Sequence, residues 1–471
     1  MKDSALIEIF DALTPWELRS FKTWLESPMF NQKTSLLRLF DYLNTCRKKG
    51  KPHQLNEAQL ATFDPPLPGI PKLRHEMSDL LKLLREFLVW QELSQLPLQR
   101  DFLLLQTLRK RGLEKNFALA LRDTENLIAE EKIEGAFSGN LDQFRLEIEK
   151  HEWAMRSKRG PDFSFEKMAG NLNAWYAGQL LQIACIERSQ QALLHREKRG
   201  MEWIESLLRE MPGRPQTQLP GVALYYYGYQ MLTDPDNSEP VSIFRALLEQ
   251  HQSRLPRDEA RNLLMLAINH GIRRINEGDQ PALRTTLDFY LLGLTKRLLQ
   301  DENGVLSKYT YNNVLMNFLA LKEWEKATRF LEEYRLQLAD KEEENTYRYN
   351  LAIYHFRKGD FDKTLDLLRN VNFPDAMYNL EARKMLLKIY FEQGASDALE
   401  STIENLLTWL RRHGEIGYHR EMYRNLARFT GQLLRLSPGD EERRKRLAKK
   451  IRDTPLVAER GWLLEKLKKN R

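Results

Sequence analysis

Apolar residues recur along this chain every three or four positions, and sustained two-residue alternation is missing, so helices are predicted nearly throughout. Leu80, Leu81, Leu84, Phe87, Leu88 and Leu93 form one such stripe, and Leu172, Trp175, Tyr176, Leu180, Ile183 and Ile186 form another. Each is expected to turn inward as the buried side of an amphipathic helix. Thr14-Pro15-Trp16-Glu17 reads as a capping box, with a hydroxyl at the cap, proline in the first turn and a carboxylate three residues on. The helix it opens runs to about Glu26, because Ser27-Pro28 disfavours continuation. Asn31 is the expected cap of the next helix, whose Leu36, Leu37, Phe40 and Leu43 share one side.

Two proline-rich stretches break the helical pattern: Pro52 to Pro71, with Pro65, Pro66 and Pro68, and Pro212 to Pro220. They suggest an N-terminal helical module over 1–70, a middle helical segment over 71–211, a longer helical array over 212–439 and basic capping helices over 440–471. A chain of 471 residues is long for one core, but arrays of repeated units lengthen without needing one.

Within the array a unit recurs. Lys322-Glu323-Trp324-Glu325-Lys326-Ala327 is echoed by Lys358-Gly359-Asp360-Phe361-Asp362-Lys363-Thr364 and, more weakly, by Gln393-Gly394-Ala395-Ser396-Asp397-Ala398-Leu399. Asn276-Glu277-Gly278-Asp279 marks an earlier, degenerate copy. Each turn follows an apolar helix with an aromatic near its end (Phe318, Phe356, Phe391). An antiparallel pair cannot cover its own inner face, so such pairs stack. These residues resemble tetratricopeptide repeats over 305–412, and more loosely over 220–300. Lys322 stands where that family's turn has Gly, Thr364 where it has Ala, and Pro374 only roughly where it closes with Pro.

The resemblance implies an all-α fold, an irregular helical-hairpin (TPR-like) solenoid with an N-terminal helical module. It also implies a concave face, lined by the first helix of each pair, that takes a segment of a protein or peptide partner. The residues it puts on that face are Tyr309, Asn312 and Met316, then Tyr349, Ile353 and Arg357, then Lys384 and Lys388. The two lysines are four apart, so their ammonium groups leave one helix side, suited to a carboxylate or an acidic peptide. Separately, Phe21-Lys22-Thr23-Trp24-Leu25-Glu26-Ser27-Pro28-Met29-Phe30-Asn31 and Glu459-Arg460-Gly461-Trp462-Leu463-Leu464 are similar to a bacterial family of cytoplasmic helical proteins with no assigned activity.

Charge adds a second feature. The formal net of +7 is confined to the end: residues 443–471 carry twelve Lys and Arg against three acids, while the other 442 residues hold 61 bases and 63 acids. Arg443, Arg444, Lys445, Arg446, Lys449 and Lys450 head this tail, and Leu456, Val457, Trp462, Leu463, Leu464 and Leu467 follow. The apolar residues suit a cap on the array; the cations suit a nucleic-acid footprint. No apolar run approaches a membrane span, Met1-Lys2-Asp3-Ser4 opens no secretory signal, and two cysteines make no disulfide framework, so a reducing cytoplasm is expected.

Catalytic chemistry is hard to find. No phosphate-cradling glycine loop, His-Glu-x-x-His helix or Gly-x-Ser-x-Gly elbow occurs. His413 and His419 are poorly spaced for one helical face, Cys185 reads as a core residue, and the Tyr225-Tyr226-Tyr227-Gly228-Tyr229 run reads as packing. The paired Arg and His of HEPN ribonucleases are matched by Arg188 with His195, Arg348 with His355 and Arg145 with His151, as chance supplies among 73 basic residues. The expectation is a cytoplasmic, non-enzymatic scaffold without cofactor or metal that binds a protein partner. The alternative is a nucleic-acid binder or HEPN-like ribonuclease using the basic tail.

Overall fold

A computed structural model of the chain describes residues 4–49, 70–130, 137–156, 165–194, 202–211, 218–369, 375–413, 416–437 and 439–469. Pro65, Pro66 and Pro68, most of the Pro212–Pro220 break, His195 and Pro374 lie outside them. Among the described residues the fold is all-α; the one β feature is an isolated bridge between Gln300 and Leu306. The chain divides into two compact units, Met1–Lys132 with Ser138–Trp175, and Ile133–Phe137 with Tyr176–Arg471.

The first unit opens with α1 (Ala5–Ala12), α2 (Pro15–Glu26), α3 (Thr34–Lys48) and α4 (Ile70–Ser94). Thr14 caps α2 in the expected box, its Oγ1 accepting from Glu17 N at 3.2 Å while Glu17 Oε2 accepts from Thr14 N at 2.6 Å. Asn31 does not cap α3, which starts after Lys33; its amide instead ties the preceding turn, donating to the carbonyls of Leu25 and Lys33. Leu73, Leu80, Leu84 and Phe87 of α4 join Phe10, Phe21 and Phe40 in one core, so the N-terminal module reaches past residue 70 to take in α4. A second core in this unit gathers Phe102 and Leu105 of α5 (Pro97–Arg111), Phe117 and Ile128 of α6 (Glu114–Glu130) and Leu146 of α7 (Ser138–Ala154).

The division between the units falls inside α8 (Phe165–Leu194). Here the sequence expectation holds only in part: Leu180 is buried and Trp175 half-buried, but Leu172, Tyr176, Ile183 and Ile186 are exposed, and the buried side is Ala174, Ala177, Leu180, Leu181, Ala184 and Cys185. Small residues allow a closer approach than large ones, and at Gly178 the approach excludes any side chain. A Cβ there would stand 2.4 Å from Cγ of Phe137.

Beyond α9 (Glu202–Glu210) the second unit runs through α10 (Pro220–Thr233), α11 (Glu239–His251), α12 (Arg257–Asn276) and α13 (Pro281–Thr295). It continues with α14 (Lys308–Ala320), α15 (Trp324–Glu333), α16 (Glu343–Lys358), α17 (Phe361–Arg369), α18 (Ala376–Glu392), α19 (Ser396–Arg412) and α20 (His419–Leu434). From α10 to α20 each helix packs on the next; α10 also touches α12, α14 touches α16 and α16 touches α18. Four of the turns close alike. Gly278, Lys322, Gly359 and Gly394 are all left-handed, and the amide of the following residue returns to the carbonyl five positions back at 2.9–3.0 Å. The last helices, α21 (Glu441–Asp453) and α22 (Arg460–Lys469), bury Leu447, Ile451, Leu463 and Leu467 in the same core as Leu380, Leu406 and Leu426.

Candidate functional site

The residues assigned to a concave face lie in the second unit, on α14, α16 and α18. Ser307 caps α14, its Oγ accepting from Tyr309 N, and so fixes Lys308 and Tyr309 in the first turn. Lys308 Nζ lies 2.9 Å from Glu342 Oε1 and 3.7 Å from Asp375 Oδ2, with the rings of Tyr309 and Tyr378 5.4 and 5.8 Å away. Tyr309 is 57% exposed, and its hydroxyl donates to Asp375 Oδ2 at 3.3 Å. Asp375 in turn caps α18 through the amides of Met377 and Tyr378. Asn312 and Met316 are half-buried on α14, and Asn312 Oδ1 has no hydrogen-bond partner among the described residues.

Behind this edge the row closes on itself. Tyr349 is buried and stacks on Tyr378, centroids 4.3 Å apart and planes 14° from parallel. Tyr423 of α20 donates to Glu381. Lys384 Nζ stands 2.5 Å from Glu381 Oε2 and 3.3 Å from Glu459 Oε1; Lys388 Nζ stands 2.7 Å from Glu459 Oε2, with the Trp462 ring at 5.3 Å. As the four-residue spacing predicts, the two ammonium groups leave one helix side, and both meet one carboxylate. That carboxylate belongs to this chain, however, so Lys384 and Lys388 are engaged rather than free. Burial works against the Glu459 carboxylate, yet Lys384 and Lys388 outweigh it and hold its pKa below the ordinary range. Ile353 is buried and Arg357 exposed.

Sequence reasoning missed Glu459, Glu381, Asp375 and Lys308. Glu459 lies in the closing segment 459–464, and Asp375 is of a type that marks a helix N-cap; Lys308 and Glu381 carry no signal beyond being polar residues on amphipathic helices.

The remaining candidates are dispersed. Cys185 is buried, donates to Tyr225 O at 3.5 Å, and burial drives its thiol pKa up. Tyr225 and Tyr229 are buried, and Tyr226 meets Tyr227 edge-on at 5.2 Å, so the run is packing within the unit. Arg145 hydrogen-bonds Gln99, Arg348 reaches Glu344, and His355 pairs with Asp360. His413 stacks on Trp409. No group of three His, Cys, Asp or Glu placed to hold a metal occurs among the described residues.

Two perturbed groups stand elsewhere in the unit. Burial raises the pKa of Glu259 to about 7, with Oε1 unpartnered among the described residues. Burial, with Arg273 and Arg274 adding to it, lowers that of His270 to about 4. His270 lines a cleft of about 510 Å³ with Arg245, Arg274, Asp236, Asp279 and Phe289, but Arg245 is paired with Asp288 and Arg274 with Asp236 and Asp279. No described helix is long and apolar enough to cross a membrane.

Comparison with protein-family models, curated proteins and solved structures finds no match to this chain. The likeness to tetratricopeptide repeats therefore rests on the residues of 305–412 themselves.

Proposed function

We propose that this chain is a non-catalytic cytoplasmic scaffold, an irregular TPR-like solenoid of helical hairpins that holds a segment of a protein partner against the first helices of residues 308–392. The observation that supports it most is the succession of contacts there. α14 packs on α16 and α16 on α18, with α15 and α17 between them, and left-handed turns recur at 322, 359 and 394. Stacked pairs of this kind leave one side of their first helices for a ligand. In this reading the partner meets Tyr309, Asn312, Met316 and Arg357, which keep solvent contact. Tyr349, Lys384 and Lys388 act from behind by fixing the face.

The test is affinity purification from the native cell with quantified recovery. A Tyr309→Ala/Met316→Ala variant is expected to lose its principal partner at least about tenfold, the scale of two contact side chains. Arg329→Ala, on the exposed side of α15, is expected to keep the same partner. Equal recovery by wild type and the double variant defeats the reading.

A further inference from the structure

Helix α21 is anchored by Leu447 and Ile451, which lie in the core; the rest of its surface carries six exposed cations, with exposed Glu442 and Asp453 among them at its two ends. Arg443, Arg446 and Lys450, at i, i+3 and i+7, form one ridge, and Lys445, Lys449 and Arg452, at i, i+4 and i+7, form the next. None of the six has a carboxylate within ion-pair distance among the described residues, whereas the inward-leaning Arg444 pairs with Glu441 at 2.9 Å. Elsewhere in this unit basic side chains commonly find acids, as Arg245 does Asp288, Arg335 does Glu343 and Arg424 does Glu421. Like charges one turn apart repel, so the fold gains nothing from keeping six of them side by side. The surface continues onto α20, whose exposed Arg428 lines, with Lys450 of α21, a cleft of about 270 Å³ that also takes in Gln432, Thr454 and Glu421, the last held by Arg424.

We propose that α21, with Arg428 beside it, is a sequence-independent binding face for the phosphate backbone of duplex nucleic acid. The charge densities match: each ridge spans roughly 10 Å of helix, and about 10 Å of duplex axis carries about six phosphates. Exposed amides and aromatics, the groups that read base edges or stack on bases, are missing from the outward half of α21, so the contacts are to phosphate alone. Its outward half is also without apolar residues, which a helix lying in a membrane surface needs. This face is separate from the row on α14, α16 and α18, and it stands or falls independently of the scaffold reading.

The test uses the full-length protein and fluorescent duplexes of two unrelated sequences, titrated at several salt concentrations. Both duplexes are expected to bind equally, with log affinity falling against log salt at a slope near −5, a loss of roughly a thousandfold between about 50 and 200 mM. Replacing Arg443, Arg446, Lys449 and Lys450 by Gln, with helicity and melting checked, is expected to bring the slope to about −2. Because the slope of the intact protein is read without any variant, misfolding of the quadruple variant leaves the proposal testable. No binding of either duplex at about 50 mM salt overturns it. So does an unchanged slope in a folded variant, or tighter binding to phosphatidylserine vesicles than to duplex.

Discussion

Lys322 is the residue at which local chemistry and fold disagree most plainly. It holds φ = 58° where the equivalent turns place Gly359 and Gly394, and a side chain in that region costs about 1–2 kcal/mol. Lys322→Gly is therefore expected to stabilise the protein by about 0.5–1 kcal/mol, the relieved strain exceeding the added chain entropy. Denaturant midpoints check this, and Gly359→Ala should move them the other way. Glu259 gives a pH-dependent counterpart. Its carboxyl ionises near 4.5 when unfolded but near 7 in the fold, so the folded state binds a proton the unfolded state has lost. Its contribution is most favourable below pH 4.5 and falls away as pH rises through 7. Glu259→Gln is expected to be more stable than wild type at pH 8, with the difference vanishing or reversing by pH 5. The turn at Lys322 was legible from the spacing of three similar segments. Nothing marked Glu259, because its burial comes from neighbours distant in sequence.

At the scale of elements, periodicity located helices well and their buried sides unevenly. In α4 the stripe Leu80, Leu84 and Phe87 does face the core. In α8 the large residues Leu172, Tyr176, Ile183 and Ile186 face out, while Leu180 and Leu181 are buried with Ala174, Ala177, Ala184 and Cys185 on the side where Gly178 lets Phe137 lie directly on the backbone. A hydrophobicity count favours the larger residues and picks a side that is mostly exposed. Gly178→Ala is expected to destabilise by about 1–3 kcal/mol through overpacking, unlike Gly170→Ala in the same helix, where nothing stands within 4 Å. Thermal melts of the two variants make the comparison. Periodicity also passes over Asn303-Gly304, a hairpin dipeptide that sits inside the bridge from Gln300 to Leu306, with Gly304 at φ = 80°.

For the molecule as a whole, the proline clusters suggested boundaries that core packing redraws. Leu73 to Phe87, after the first cluster, complete the core of the helices before it. At the other end the basic tail carries a structural role and a charged surface at once: Val457, Ala458, Leu463 and Leu467 are core residues, and Glu459 is the counter-ion of Lys384 and Lys388. Truncation at 439 would therefore remove core as well as charge. Leu463→Ala is expected to cost about 3 kcal/mol and to raise hydrogen exchange in α18 and α20. The candidate face was legible only through a resemblance to known repeats. Which of its members remain available was not, since that depends on Glu459, some 70 residues away in sequence.

The most direct test of the scaffold claim is photo-cross-linking in the native cell from a photoreactive residue placed at 309, at 316 or, as a control on α15, at exposed Arg329. The account predicts that positions 309 and 316 capture one and the same protein and that 329 does not, with the purified protein binding wild type more tightly than Tyr309→Ala/Met316→Ala. Absence of any adduct at 309 and 316, or identical adducts from all three positions, contradicts it.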